Sequence, residues 1–124
     1  MNRDQIIQWL LDGDVSIQYQ VHRDLMGSDL PPLKERIATE GWGSRFMGAR
    51  HENGHWGRGF YQPKWISTHY SLLDLKNLGF PTGNPKIAES ISLILRDQKS
   101  DDGGINPSGT IKESDVCING MFLY

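Results

Sequence analysis

The most informative stretch of the sequence is Gly54–Gly57 (GHWG) with Trp65–Tyr70 (WISTHY), because the pattern that they form returns further along the chain. A shift of 49 positions places Gly103 on Gly54 and Cys117 on Thr68. A fainter upstream copy, residues 16–21, aligns with residues 67–72 at a shift of 51. A repeat of this length predicts helical hairpins that stack and share one core.

Apolar residues at helical spacing, bounded by capping residues and glycines, predict an all-α fold. Two glycine-rich loops, 50–66 and 99–114, occupy the same phase of the repeat, so we expect both at one end of the stack. The predicted helices run between Asn2 and Gly13, from Asp14 or Ser16 to Leu25, from Pro31 to Ala49, from Ser67 or Thr68 to Gly79, from Asn84 to residue 98, and from near Asp115 to Tyr124.

The composition of the chain excludes several classes of protein. The chain has 124 residues and a formal net charge of -2, with no basic stripe that would suit nucleic acid. Cys117 is the only cysteine, which excludes an internal disulfide and fits a reducing compartment. No apolar run approaches the ~18 residues of a membrane span. These features predict a cytoplasmic protein of one domain, residues 1–124.

The last predicted helix has no C-terminal stop signal in the sequence. Residues 121–124 (MFLY) are apolar and carry no cap, glycine or polar exit. We therefore expect the domain to be truncated at its C-terminus. We also expect a homo-oligomer that covers the exposed C-terminal helix, with Phe122 buried in the contact.

Three segments carry a family resemblance. Phe46-x3-Arg50-x3-Gly54-x-Trp56 resembles the QW repeat of squalene cyclases, with arginine in place of glutamine. Ile94-x3-Gln98 followed by residues 101–104 keeps the glutamine, with one extra residue and Ile105 in place of the tryptophan. The Asp115-x-Cys117 pair before a helix is similar to protein prenyltransferase β-subunits. The chain thus resembles the N-terminal part of a terpenoid cyclase or protein prenyltransferase superfamily member, of the bacterial prenyltransferase-like or squalene cyclase-like kind.

The resemblance implies an α/α toroid, in which inner and outer helices alternate around a cavity. This chain supplies only two to three of the helical pairs, which make an incomplete arc. The cyclase acid motif Asp-x-Asp-Asp is absent from the sequence.

Asp115, Cys117 and His69 are the candidate catalytic residues. By resemblance, Asp115 and Cys117 match two zinc ligands of the prenyltransferases, but the third ligand would come from a later repeat. We therefore expect no cofactor here, and zinc only in a longer form. The alternatives are that Asp115 caps the last helix, that Cys117 packs as a small apolar group, and that His69 is structural.

Trp65, Tyr70, Tyr19 and Trp56 are the candidate ligand-binding residues. Five residues share one phase of the repeat, so we expect them on one concave surface: Trp65, Tyr19, His69, Asp115 and Cys117. Trp65 is the best anchor for an apolar ligand. The alternative interpretation of Trp56 is an aromatic that packs the loop against the next repeat. Lys64 and Arg58 could meet a diphosphate, although a loop cation is usually solvated.

Two functions remain open at this point. The first is a prenyltransferase-like or squalene cyclase-like protein that binds an apolar or isoprenoid-type ligand, with enzymatic activity left undecided. The alternative is a non-catalytic helical-repeat scaffold that binds another protein.

Overall fold

The computed structural model describes residues 1–124 and confirms an all-α fold without β-strands. Its contacts divide the chain into two compact units, 1–49 with 74–82, and 50–73 with 83–124. The toroid and the single repeat domain stay predictions. The helices are α1 (Arg3–Leu11), α2 (Val15–Gln20), α3 (Pro31–Arg36), α4 (Gly41–Gly48), α5 (Thr68–Asn77), α6 (Pro85–Asp97) and α7 (Val116–Leu123).

Two capping residues organise the start of the first unit. Asn2 and Gln5 form a reciprocal capping box, with both side chain to backbone hydrogen bonds at 2.9 Å. Asp14 caps α2 by accepting from the Ser16 amide at 2.9 Å. The helical backbone then continues through a five-residue π-helical segment, Val21–Leu25, so the predicted end at Leu25 is confirmed.

The single helix predicted from Pro31 to Ala49 is wrong, because the structure has two helices there, α3 and α4. Gly41 opens α4 with a φ of +58°, a conformation that interrupts a right-handed helix. The Trp42 amide donates to Asp14 Oδ2 at 2.9 Å. A Cβ atom on residue 41 would collide with that same carboxylate. The glycine is therefore required both by its φ and by the closeness of Asp14.

The second unit has its own apolar core, formed by Phe60, Ile94, Ile105 and Ile118. These side chains come from both long loops, from α6 and from α7, so the loops are structural parts of the core. Tyr61, Leu72, Met121 and Phe122 are partly buried against it. Asn84 caps α6 through Oδ1, which accepts from the Lys86 amide at 3.0 Å, as predicted.

The turn repeat predicted by the shift of 49 is confirmed in both long loops. Gly54 and Gly103 have φ values of +88° and +83°. Each glycine amide donates to the carbonyl three residues earlier, at 3.0 Å for Gly54 and 2.9 Å for Gly103. The residue before each glycine, Asn53 or Asp102, accepts through its side chain from the amide two residues later, at 3.0 Å in both loops.

None of the helices has the length and apolar character needed to cross a membrane.

Candidate functional site

The first long loop is fastened to the start of α5 by Thr68, which is fully buried. The Thr68 hydroxyl accepts from the Trp56 amide at 3.1 Å and donates to the Gly59 carbonyl at 3.0 Å. His55 Nδ1 lies 2.9 Å from the same oxygen. One hydroxyl thus holds three points of the loop, and this fixes the residues that follow it.

Asn119 does the corresponding work in the second long loop. Its Oδ1 accepts from the Ile105 amide and its Nδ2 donates to the Ile105 carbonyl, both at 2.8 Å. Ile105 is the counterpart of Trp56, and both side chains are buried. In the second loop, Asn119 therefore makes the hydrogen bonds that correspond to those of Thr68. The shift of 49 aligns Thr68 with Cys117 instead.

Five rings gather where the first loop meets α5, and we call them the aromatic cluster: Phe60, Tyr61, Trp65, His69 and Tyr70. The His69 amide donates to the Phe60 carbonyl at 2.9 Å, which places the loop rings against the helix. His69 lies 5.6 Å from Phe60, 5.6 Å from Tyr61 and 5.0 Å from Tyr70, measured between ring centroids. The imidazole is therefore walled by aromatic rings.

His69 is 2% exposed, and neither ring nitrogen has a hydrogen-bond partner. Burial disfavours the charged imidazolium and lowers the pKa of His69 below its usual 6.5. A neutral imidazole carries one N–H donor and one nitrogen acceptor, and both are unused here. Buried polar groups in folded proteins are nearly always paired, so His69 is the outstanding polar feature of this site.

Tyr61 and Tyr70 join their hydroxyls at 3.2 Å beside His69. This hydrogen bond, followed by burial, raises the pKa of Tyr61 to about 12, with smaller electrostatic contributions from Tyr70, Asp115 and Cys117. Asp115 and Cys117 therefore lie close enough to act on Tyr61.

Trp65 is the exposed member of the aromatic cluster. Its ring lies 4.9 Å from that of Tyr70, yet 71% of the residue is open to solvent. Lys64 Nζ lies 4.9 Å from the Trp65 ring centroid, a cation–π distance. The neighbouring Ile66 is also exposed. A large apolar surface, oriented by Tyr70, is thus available at the start of α5.

Tyr19 and Trp56, predicted to bind ligand, are core side chains in this structure. Tyr19 is 4% exposed and belongs to the first unit, where its hydroxyl donates to Asp29 at 3.4 Å. Trp56 is 2% exposed, with the Arg50 guanidinium 5.9 Å from its ring. The burial of Trp56 favours its packing interpretation, and Tyr19 is likewise not available at a surface. Of the four predicted ligand-binding residues, Trp65 and Tyr70 are in contact.

Asp115 caps α7, as the alternative interpretation expected, because its side chain accepts from the Ile118 amide at 2.9 Å. Cys117 is exposed and not packed in the core. No cluster of three or more His, Cys, Asp or Glu side chains lies close enough to hold a metal ion. His69 makes no hydrogen bond to Asp115 or Cys117, so the three predicted catalytic residues do not form a connected set.

The expectation that a partner molecule buries Phe122 stays a prediction, because Phe122 is only partly buried within the chain. The Phe122 ring packs edge-on against Phe60, with centroids 6.3 Å apart, inside the second unit. Val116, Leu123 and Tyr124 are the exposed apolar residues of α7 and its end. The oligomer stays a prediction, with Phe122 as the residue that its contact would bury.

Sequence reasoning missed Phe60, Tyr61 and the anchoring role of Arg50. Arg50 has a side chain that is 7% exposed, and its Nε donates to Ser90 Oγ at 2.9 Å. Its Nη2 donates to Glu89 at 2.6 Å. Ser90 Oγ in turn donates to the Gly54 carbonyl at 2.6 Å, which ties the glycine turn to α6. The available signal was the adjacent aromatic pair Phe60-Tyr61 in the first long loop.

The chain matches no protein-family model, no curated protein and no solved structure.

Proposed function

We propose that this protein binds an apolar or isoprenoid-type ligand at the aromatic cluster, as a prenyltransferase-like or squalene cyclase-like protein without its own chemistry. The observation that carries the proposal is Trp65, which is 71% exposed while its ring rests 4.9 Å from Tyr70. An aromatic ring that is oriented before binding offers a large contact area at little entropic cost.

The surroundings of Trp65 support an apolar ligand. Ile66 is 62% exposed beside it, and Tyr61 and Tyr70 are half-buried. Contiguous apolar surface of this kind commonly marks a binding site. Aromatic walls with few convergent polar groups are typical of small-molecule sites.

Binding without catalysis is proposed because the candidate catalytic groups are engaged elsewhere or apart. The Asp115 carboxylate accepts a hydrogen bond from the backbone amide of Ile118 and so caps α7. His69 is enclosed by rings and has no hydrogen bond to a nucleophile or carboxylate. A general base needs hydrogen-bond reach to the proton that it removes.

Direct binding tests the proposal. The full chain is titrated with farnesene, an uncharged isoprenoid hydrocarbon, while tryptophan fluorescence is followed. We expect saturable quenching that is weakened by Trp65→Ala and kept by Trp42→Ala. Trp42 is a matched control, since it is 53% exposed and carries Arg45 at 4.9 Å from its ring centroid. Linear, unsaturable quenching in the wild-type chain would reject the proposal.

A second candidate function, a scaffold that binds another protein, is favoured by α1 in the first unit. This helix has no buried residue, although it carries Ile6 and Trp9, which are 43% and 66% exposed. An unburied apolar helix face is typical of surfaces that dock a partner. Farnesene binding that fails in the wild-type chain would leave this candidate ahead.

A further inference from the structure

We infer that the ligand carries one uncharged hydrogen-bonding group, such as the hydroxyl of a prenyl alcohol, and that His69 holds this group inside the aromatic cluster. The inference rests on the proposed function and adds the chemical class of the ligand's head. It begins from His69, because both of its ring nitrogens are buried and unpaired.

The lack of a partner at His69 is exceptional in this chain. His69 Nδ1 and Nε2 are the only buried side-chain nitrogen or oxygen atoms without a hydrogen bond. Nearby polar side chains do have partners: the Thr68 hydroxyl makes three contacts, and the Tyr61 and Tyr70 hydroxyls pair with each other. An unpaired buried polar group is costly, and a ligand that supplies the missing partner recovers that cost on binding.

The walls around His69 define the rest of the ligand. Phe60, Tyr61 and Tyr70 surround the imidazole, and Trp65 extends the aromatic surface from Tyr70 to solvent. A chain lying on Trp65 with its head at His69 would meet rings along its length. Entry requires that Tyr61 or Tyr70, both half-buried, turn aside and break their hydroxyl pair.

The charge of the head follows from the groups around it. No charged group acts on His69, whose neutral form is favoured by burial alone. On the Tyr61 side, the charged neighbour is the Asp115 carboxylate, which repels an anion. Lys64 lies over Trp65, at the exposed end of the aromatic cluster. A diphosphate at His69 would therefore be buried without a counter-charge, which is strongly unfavourable.

Three probes of one chain length separate the possibilities: farnesol, farnesene and farnesyl diphosphate. We expect the wild-type chain to bind farnesol about fivefold more tightly than farnesene, as one net hydrogen bond allows. His69→Phe keeps an aromatic ring of similar size without polar atoms, so it should fold. In this variant farnesol and farnesene should bind equally, with farnesene affinity kept.

A measurement on the wild-type chain makes the test independent of any variant. The ring nitrogen-15 resonances of His69 should move when farnesol is added and stay in place with farnesene. Equal binding of farnesol and farnesene in the wild-type chain overturns this inference and leaves the proposed function standing. Tighter binding of the diphosphate than of farnesol overturns it too, in favour of Lys64. Failure of all three probes to bind overturns the proposed function together with the inference.

Discussion

Gly54 and Gly103, 49 residues apart in the sequence, adopt the same turn conformation, with φ values of +88° and +83°. The two turns differ in what surrounds them. A Cβ atom on Gly103 meets nothing within 4 Å, whereas a Cβ atom on Gly54 would collide with Leu93 of α6. The same backbone conformation is therefore exposed in one copy and packed in the other.

Alanine at these two positions should separate backbone strain from packing. Gly103→Ala should cost about 1–2 kcal/mol of unfolding free energy, from its positive φ alone. Gly54→Ala should cost clearly more, because Leu93 must also move. Gly120→Ala is the control, since Gly120 lies inside α7 with open space around it and should gain up to about 1 kcal/mol. Urea denaturation measures all three, and equal losses at Gly54 and Gly103 would contradict the packing of the first turn.

Thr68→Val should destabilise the second unit by about 1–3 kcal/mol, because it removes the hydroxyl that accepts from the buried Trp56 amide and donates to the Gly59 carbonyl. Thr110→Val, at an exposed loop position, should change stability by under about 0.5 kcal/mol. Hydrogen exchange at the Trp56 amide reports the same hydrogen bond directly. Unchanged protection of that amide in Thr68→Val would show that Thr68 does not hold the loop.

Arg50→Lys should cost about 1–3 kcal/mol, since a lysine cannot reach Ser90 and Glu89 together with the planar geometry of arginine. Arg36→Lys is the control, because Arg36 also donates through Nε and Nη2, in this case to the single carboxylate of Glu40 on an exposed helix face. Its loss should stay within about 1 kcal/mol. Similar losses from both variants, in parallel thermal melts, would mean that the Arg50 anchor contributes no more than a surface pair.

Acid should destabilise the fold through His69 and His55. Burial lowers the pKa of both folded-state imidazoles below 6.5, so the unfolded chain binds protons that the folded chain does not. Stability should therefore fall as pH drops from about 6.5 towards the lowered folded-state pKa values, by up to about 1.4 kcal/mol per pH unit for each histidine. His69→Phe should reduce this slope in urea melts between pH 6.5 and 5. An unaltered slope would place the His69 pKa at its ordinary value.

The sequence predicted most helix boundaries, because their signals are local. The Asn2, Asp14, Asn84 and Asp115 caps act within three residues, and a capping side chain needs no tertiary context. At Gly41 the two glycines of the predicted helix, Gly41 and Gly43, weakened the prediction, but the position of the break depends on a hydrogen bond from Trp42 to Asp14, 28 residues away. No pattern in the sequence predicts a contact over this distance.

The candidate site was predictable only in part, for a similar reason. Trp65, His69 and Tyr70 follow from their place in the repeat, but Tyr61 joins them through loop packing. The shift of 49 also aligned Thr68 with Cys117, although Asn119 makes the equivalent hydrogen bonds. An asparagine side chain carries both a donor and an acceptor, whereas a thiol is weak in both roles.

The strongest test of a ligand site at the aromatic cluster compares two quantities in Trp65→Ala: the affinity for farnesene and the free energy of unfolding. Because Trp65 is 71% exposed, its removal should change the unfolding free energy by under about 1 kcal/mol. Farnesene affinity should fall at least about tenfold, as expected for the loss of a large aromatic contact, while Trp42→Ala leaves it unchanged. Equal loss of affinity in Trp65→Ala and Trp42→Ala, or affinity kept in Trp65→Ala, would contradict a ligand site at the aromatic cluster.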